Sequence, residues 1–275
     1  MSKKKFAVLG YDTINIGDDI QSFVTSTIIK PSYIVMRDDY DKVYDFDSGE
    51  RVELKEEVHL IMNGWFMHGP GVDKPMTGVK FPYKNDFITP VFISTCISKD
   101  CPELFEDESI KYLKKYSPIL CRDKTTEELL SQKGVKTEFY GCLTTTLNID
   151  NVPENLEYEK KFKGQTILVH GNDLFRLYNA VGSNGAYEID HYIQDLKQLN
   201  PKERIEAAGD LLSQYRYASK IYTTRLHCFL PCKAMGVDVE FITANGKDCY
   251  RTKDLVSAKF DTQQKLKQFF EIIEK

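Results

Sequence analysis

Residues 221–243 read IYTTRLHCFLPCKAMGVDVEFIT, and this stretch decides the fold. Ile221 to Thr223 is a short apolar strand, Thr224 stands where a helix cap belongs, the helix runs to Gly236, and Val237 to Thr243 is a second strand. A strand, a crossover helix and a strand form a βαβ unit, whose strands are parallel because the helix returns the chain to its starting edge. Upstream, Ile205, Ala208, Leu211, Leu212, Tyr215 and Ala218 recur at helical spacing after Asn200-Pro201, and Thr166 to His170 is another strand. This block is therefore a parallel sheet with helices on its faces.

The first half repeats the alternation. Lys5 to Gly10 is a strand, followed by Ile20, Phe23, Val24, Thr27 and Ile28 at helical spacing. Tyr33 to Met36, Val58 to Met62, Val91 to Ser94, Ile119 to Cys121 and Thr137 to Tyr140 are further apolar runs of the kind buried on both faces. Asp38 to Glu57 reads as a hairpin excursion around Asp47-Ser48-Gly49-Glu50. Thr125 to Glu128 fits a capping box, with Gly134 placed to end that helix. Asn148 to Gly164 is polar and aperiodic and reads as the linker, which sets two α/β domains at 1–150 and 151–275.

A chain of 275 residues with 41% hydrophobic and 28% charged positions closes a sizeable core, which excludes disorder, collagen and coiled coil. No apolar run approaches the ~20 residues of a membrane-spanning helix, and no secretory signal is read, so the expected setting is cytoplasmic. A net charge of -4 argues against bulk binding of nucleic acid, although local positive charge would serve a small anion. The seven cysteines, Cys249 among them, are scattered and read as reduced core residues. Cys228 and Cys232 share a helix face at i,i+4, but no repeated C-x-x-C completes a metal set, so no metal is expected.

In open α/β sheets ligands sit beyond the carboxyl ends of the strands. Five stretches follow such ends. Asn15-Ile16-Gly17-Asp18-Asp19 opens a helix, where the bland reading of its acids is capping. Asn63 to Gly71 is glycine-rich without a nucleotide fingerprint. Arg122-Asp123 follows an apolar strand, and His170-Gly171-Asn172-Asp173 follows another. Thr223 to His227 is the most informative, because it puts Arg225 and His227 in the first turn of a helix whose N–H groups already favour an anion. Charge of the wrong sign there points to a bound anion, or else to Arg225 pairing with a carboxylate while His227 fills a core gap.

Asn15-x-Gly17-Asp18, Arg122-Asp123 before a helix and Gly134-Val135, and Thr224-Arg225-Leu226-His227 before Cys228 to Gly236 together resemble the polysaccharide pyruvyl transferase family, in order over nearly the whole chain. The resemblance implies a glycosyltransferase-B-like pair of Rossmann-like domains that moves pyruvate from phosphoenolpyruvate onto two hydroxyls of a sugar, forming a cyclic ketal. It implies no cofactor beyond that donor, and a sugar or glycan acceptor, a lipid-linked one at the membrane surface included. On the same footing Arg122, Arg225, Leu226, Asn15, Gly17 and Asn63 are substrate-binding positions, with the acceptor on the first domain and the donor in the cleft between the two.

Phosphoenolpyruvate carries phosphate and carboxylate on a small skeleton, and the guanidinium fork binds each bidentately without titrating. His227 is the natural acid for the donor's methylene carbon, and Asp18 a base for the sugar hydroxyl. A nucleotide-sugar glycosyltransferase of the same architecture and a non-catalytic sugar- or anion-binding relative are the alternatives. The final helix, roughly Thr262 to Glu274, carries Leu266, Phe269, Phe270 and Ile273 on one face. The resemblance implies that it crosses back to the first domain; packing within the second block satisfies the same periodicity.

Overall fold

Lys5–Gly10, Tyr33–Met36, Val58–Ile61 and Ile88–Val91 are parallel neighbours in one sheet of the computed structural model, which describes residues 4–67, 81, 85–182, 185–243 and 252–274. The sheet extends from Tyr33–Met36 through the antiparallel strands Asp39–Asp45 and Arg51–Val52, so the predicted hairpin is present. Its turn is held by the Asp45 carboxylate, which accepts from the Asp47 and Ser48 N–H groups, and by Gly49 at a φ of 72°. A second sheet sets Thr137–Phe139, Ile119–Cys121, Ile93–Ile97 and Trp65–Phe66 side by side, all parallel.

These sheets belong to one compact unit, formed by Met1–Asp12, Ile28–Leu143 and Gln263–Lys275. Thr13–Thr27 and Thr144–Thr262 form the other. The division differs from a single cut at residue 150. The helix Ile16–Ile29 places Ile16, Ile20 and Val24 in the core of the second unit, with Ile167, Val169, Leu212 and Ile221. Asn148 to Gly164 is no open linker either: Asn155 caps the helix Leu156–Phe162 by accepting from the Glu157 and Tyr158 N–H groups, and Phe162 is buried.

The second unit has one sheet in the order Tyr187–Asp190, Thr166–His170, Lys220–Thr223, Val239–Phe241, all parallel. In chain order this is 2-1-3-4, so the winding reverses between Thr166–His170 and Lys220–Thr223. Tyr187–Asp190 escaped sequence reading because it is a four-residue edge strand, with Glu188 and Asp190 on one face and only Tyr187 and half-buried Ile189 on the other. Two caps also differ from expectation. Asp123, not Thr125, caps the helix Lys124–Gln132, its carboxylate accepting from both the N–H and the hydroxyl of Thr126. Thr224 does not cap Leu226–Ala234; its hydroxyl donates to Asp173 at 2.8 Å, and Arg225 occupies the cap position.

The final helix, Thr262–Ile273, buries Phe269 and Ile273 against Ile61, Ile93, Leu120, Tyr140 and Leu143 in the core of the first unit. Phe270 lies outside this face at 40% exposure, while Lys265, one turn before Phe269, lies inside it. Lys265 Nζ donates to the Cys142 carbonyl and sits 4.4 Å from the centroid of the Tyr140 ring, whose hydroxyl donates to the Lys265 carbonyl. Residues 68–71 of the glycine-rich loop and Cys249 lie outside the described residues. No described helix is long and apolar enough to cross a membrane.

Phe269→Ala is expected to cost about 3–5 kcal/mol, read as a lower urea midpoint, because the neighbouring core cannot refill the ring volume. Lys265 makes a separate prediction. Burial lowers its pKa from 10.5 to about 7. Between those values the unfolded chain holds a proton that the folded chain does not, so stability rises with pH across that window. Lys265→Met is expected to abolish this rise, measured by urea unfolding at several pH values from 7 to 10.5.

Candidate active site

Across the reversal point of the second unit, the ends of two neighbouring strands are tied together by one carboxylate. Asp173 Oδ1 accepts from the Gly171 N–H at 3.0 Å and from the Thr224 hydroxyl at 2.8 Å. Buried Thr223 donates its hydroxyl to the Val169 carbonyl and accepts from the Arg225 N–H, both at 2.9 Å. These bonds fix Arg225 in extended backbone at the start of Leu226–Ala234, with no side chain capping that helix. Its guanidinium rests on Gly171, where an added Cβ would stand 2.8 Å from Nη1, 2.9 Å from Cζ and 3.1 Å from Nε. Cζ lies 4.8 Å from the centroid of the Tyr192 ring, and Nη2 donates to the Tyr192 hydroxyl at 3.4 Å. Leu226 is the first helical residue and His227 follows it.

The opening of Ile16–Ile29 joins this constellation through residues 190–193. Asn15 pairs with Tyr192 in an antiparallel bridge, the Ile16 N–H donates to the His191 carbonyl at 3.0 Å, and the Ile193 N–H donates to the Ile14 carbonyl at 2.8 Å. Asn15 Oδ1 accepts from the Gly17 N–H, which leaves Asp18 out of the capping role; buried Asp18 instead accepts from the Thr13 hydroxyl at 2.9 Å. A Cβ on Gly17 would lie 3.1 Å from Asn15 Oδ1, 3.3 Å from His227 Cβ and 3.4 Å from His191 Nδ1. The absence of a side chain at 17 therefore lets this helix start abut both histidines.

His191, buried, shares a 2.9 Å hydrogen bond between its Nε2 and the Tyr215 hydroxyl. Burial holds its pKa well below the ordinary imidazole value, and the charges of Arg225 and His170 act in the same direction, so it is neutral at neutral pH. Below this layer, Asp19 and Arg204 form a buried, two-pronged ion pair with contacts of 3.1 and 2.8 Å. Arg204 donates further to the Leu196 and Thr13 carbonyls. Burial pushes the Asp19 carboxyl up to about 7, against the pull of Arg204.

Of the residues singled out in the sequence, Asn15, Gly17, Asp18, Arg225, Leu226 and His227 thus fall in the second unit, around one reversal point. Asn63 and Arg122 belong to the first unit. Asn63, buried, follows Val58–Ile61 at the corresponding reversal point of the first sheet, and its carbonyl accepts from the Tyr11 hydroxyl at 3.0 Å. Arg122 follows Ile119–Cys121, donates its N–H to the Thr95 carbonyl and has a buried side chain. Burial opposes its charge, but neighbouring Cys96, Cys142 and Asp123 hold the pKa above the ordinary arginine value. His191, Tyr192 and Arg204 were missed as site residues, and Gly171 stood in the His170-Gly171-Asn172-Asp173 stretch without a role assigned to it. For His191 and Tyr192 the only signal was an acidic, aromatic segment without apolar periodicity. Among the described residues no group of three or more His, Cys, Asp or Glu side chains could hold a metal ion, and the Cys228 and Cys232 sulfurs are buried 4.0 Å apart.

The second unit is thus a parallel α/β unit with a guanidinium and an imidazole at its reversal point, the place where open α/β folds seat their ligands. The model of the polysaccharide pyruvyl transferase family matches residues 15–239, and the chain belongs to that family. Membership carries the general function of a transferase of pyruvyl groups, with a sugar or glycan as acceptor. Among solved structures, a functionally uncharacterized protein from Klebsiella pneumoniae is similar in fold, with a TM-score of 0.51 at 14% identity over 86% of this chain and 82% of that one. The S. aureus MnaA–UDP complex is more distant, with a TM-score of 0.38 at 11% identity over 99% of this chain and 88% of that one. No curated protein matches the sequence.

Removing one member of the buried ion pair leaves an uncompensated charge. Asp19→Ala is therefore expected to cost about 3–5 kcal/mol in urea unfolding, whereas Asp19→Leu combined with Arg204→Met should recover most of that loss.

Proposed function

We propose that the chain transfers pyruvate from phosphoenolpyruvate to two hydroxyls of a sugar, closing a cyclic ketal. The observation that carries this reading is Arg225 and His227 together at the start of Leu226–Ala234, beside the start of Ile16–Ile29. A cation at the positive end of a helix is unfavourable alone, and an anion bound there reverses the sign. The donor has two anionic groups, and Arg225 and Arg122 supply one fork each in this reading.

The chemistry balances with the residues present. His227 gives a proton to the donor methylene carbon, which becomes the methyl group and leaves the central carbon electrophilic. One sugar hydroxyl attacks that carbon and loses its proton to Asp18. The bond to phosphate then breaks, the second hydroxyl attacks the same carbon to close the ring, and its proton goes to the departing phosphate, which leaves as hydrogen phosphate. Leu226, Asn15, Gly17 and Asn63 line the substrates in this reading, and a lipid-linked glycan is one form the acceptor takes.

Calorimetry with phosphoenolpyruvate, and mass spectrometry of a glycan panel incubated with it, test the proposal. Arg225→Lys is expected to lose donor affinity, since an ammonium lacks the two-pronged fork. His227→Gln is expected to keep its circular dichroism and melting temperature while turnover falls about 10²–10⁴-fold. Wild-type affinity in both Arg122→Ala and Arg225→Ala would overturn the donor assignment, and a smaller loss in His227→Gln would return that residue to packing.

A further inference from the structure

We propose that Tyr192, working with Gly171, is the positioning residue that holds the Arg225 guanidinium in the orientation in which it receives an anion. The inference rests on the reading of Arg225 as a donor ligand, but its geometry stands apart from the donor's identity. An arginine side chain has several rotatable bonds, and a fork that binds bidentately is effective only when its plane is fixed beforehand. Two contacts fix it here. The point where Gly171 would carry Cβ is nearly equidistant from Nη1, Cζ and Nε, at 2.8, 2.9 and 3.1 Å, so the backbone of Gly171 lies against the face of the guanidinium. On the Nη2 side Tyr192 supplies its ring, 4.8 Å from Cζ, and its hydroxyl, 3.4 Å from Nη2.

Tyr192 is itself held. Its N–H donates to Asp190 Oδ1 at 2.8 Å, it is bridged to Asn15, and its neighbours exchange backbone bonds with Ile14 and Ile16. Gly171 is held by its N–H bond to Asp173, the same carboxylate that takes the Thr224 hydroxyl. Both surfaces against the guanidinium are thus backed by hydrogen bonds that do not involve Arg225. The aromatic ring keeps the guanidinium charge through its face without neutralising it, which a carboxylate in the same place would do. The fork therefore stays available for an incoming carboxylate or phosphate edge.

The test is the order of the Arg225 Nε–Hε bond, read by ¹⁵N relaxation on the full chain and assigned through its loss in Arg225→Lys, in wild type, Tyr192→Phe, Tyr192→Leu and Gly171→Ala. Circular dichroism checks that each is folded. Wild type and Tyr192→Phe are expected to show an ordered bond, Tyr192→Leu a mobile one, and Gly171→Ala a displaced signal because the methyl group occupies the guanidinium's place. With phosphoenolpyruvate as substrate, Tyr192→Leu is expected to raise KM at least tenfold with little change in kcat, and Tyr192→Phe to restore KM to within threefold of wild type. An ordered Arg225 in Tyr192→Leu, or a loss in Tyr192→Leu confined to kcat, overturns the proposal. If the wild type neither binds nor turns over phosphoenolpyruvate, the donor reading fails, and the relaxation data still decide the role of Tyr192.

Discussion

The buried ion pair between Asp19 and Arg204 is the constraint on which the second unit depends. It joins the first turn of Ile16–Ile29 to Pro201–Arg216, more than 180 residues further along the chain. Two charges out of water are costly unless their geometry is good and their remaining hydrogen-bonding groups are used. Arg204 meets both conditions, with two bonds to the carboxylate and two to backbone carbonyls. Because one of those carbonyls is that of Thr13, the pair also fixes the segment that leads into Asn15 and Gly17.

From that anchor the rest of the constellation follows by contact. The opening of the helix pairs with residues 191–193, Tyr192 takes up the Arg225 guanidinium, and Gly17 lies against His191 and His227. The packing of Ile16–Ile29 on Pro201–Arg216 is equally close at Gly209, where a Cβ would stand 2.6 Å from the Phe23 ring. The surroundings of the strand ends in this unit are therefore built in part by an element from the beginning of the chain. The first unit makes the reciprocal use of chain end, completing its core with Phe269 and Ile273 from the final helix.

Buried polar groups divide here into two kinds. Asp123 is consumed by structure, since its carboxylate satisfies Thr126 and ends a strand-to-helix turn. His191 is also committed, to Tyr215, and burial keeps it uncharged beside Arg225. Arg225, only half-buried, differs from both, because its guanidinium contacts a glycine and an aromatic ring and forms no ion pair with a carboxylate among the described residues, so its charge is retained at a helix start that already carries positive potential.

The sequence by itself determined the parallel α/β class, the hairpin, the strand Thr166–His170, the long helix after Asn200-Pro201 and the Arg225-Leu226-His227 corner. Each is encoded locally, by apolar period, turn residues or a charge set against a helix dipole, and local patterns survive without knowledge of distant contacts. The unit boundaries, the short edge strand Tyr187–Asp190, the entry of Lys265 in place of Phe270 on the buried helix face, and the gathering of Asn15, Gly17, Tyr192 and Gly171 around Arg225 and His227 were decided by tertiary structure alone. These depend on pairings across 20 to nearly 200 residues, such as Asn15 with Tyr192 and Asp19 with Arg204, and no periodicity in one segment carries the identity of its partner in another.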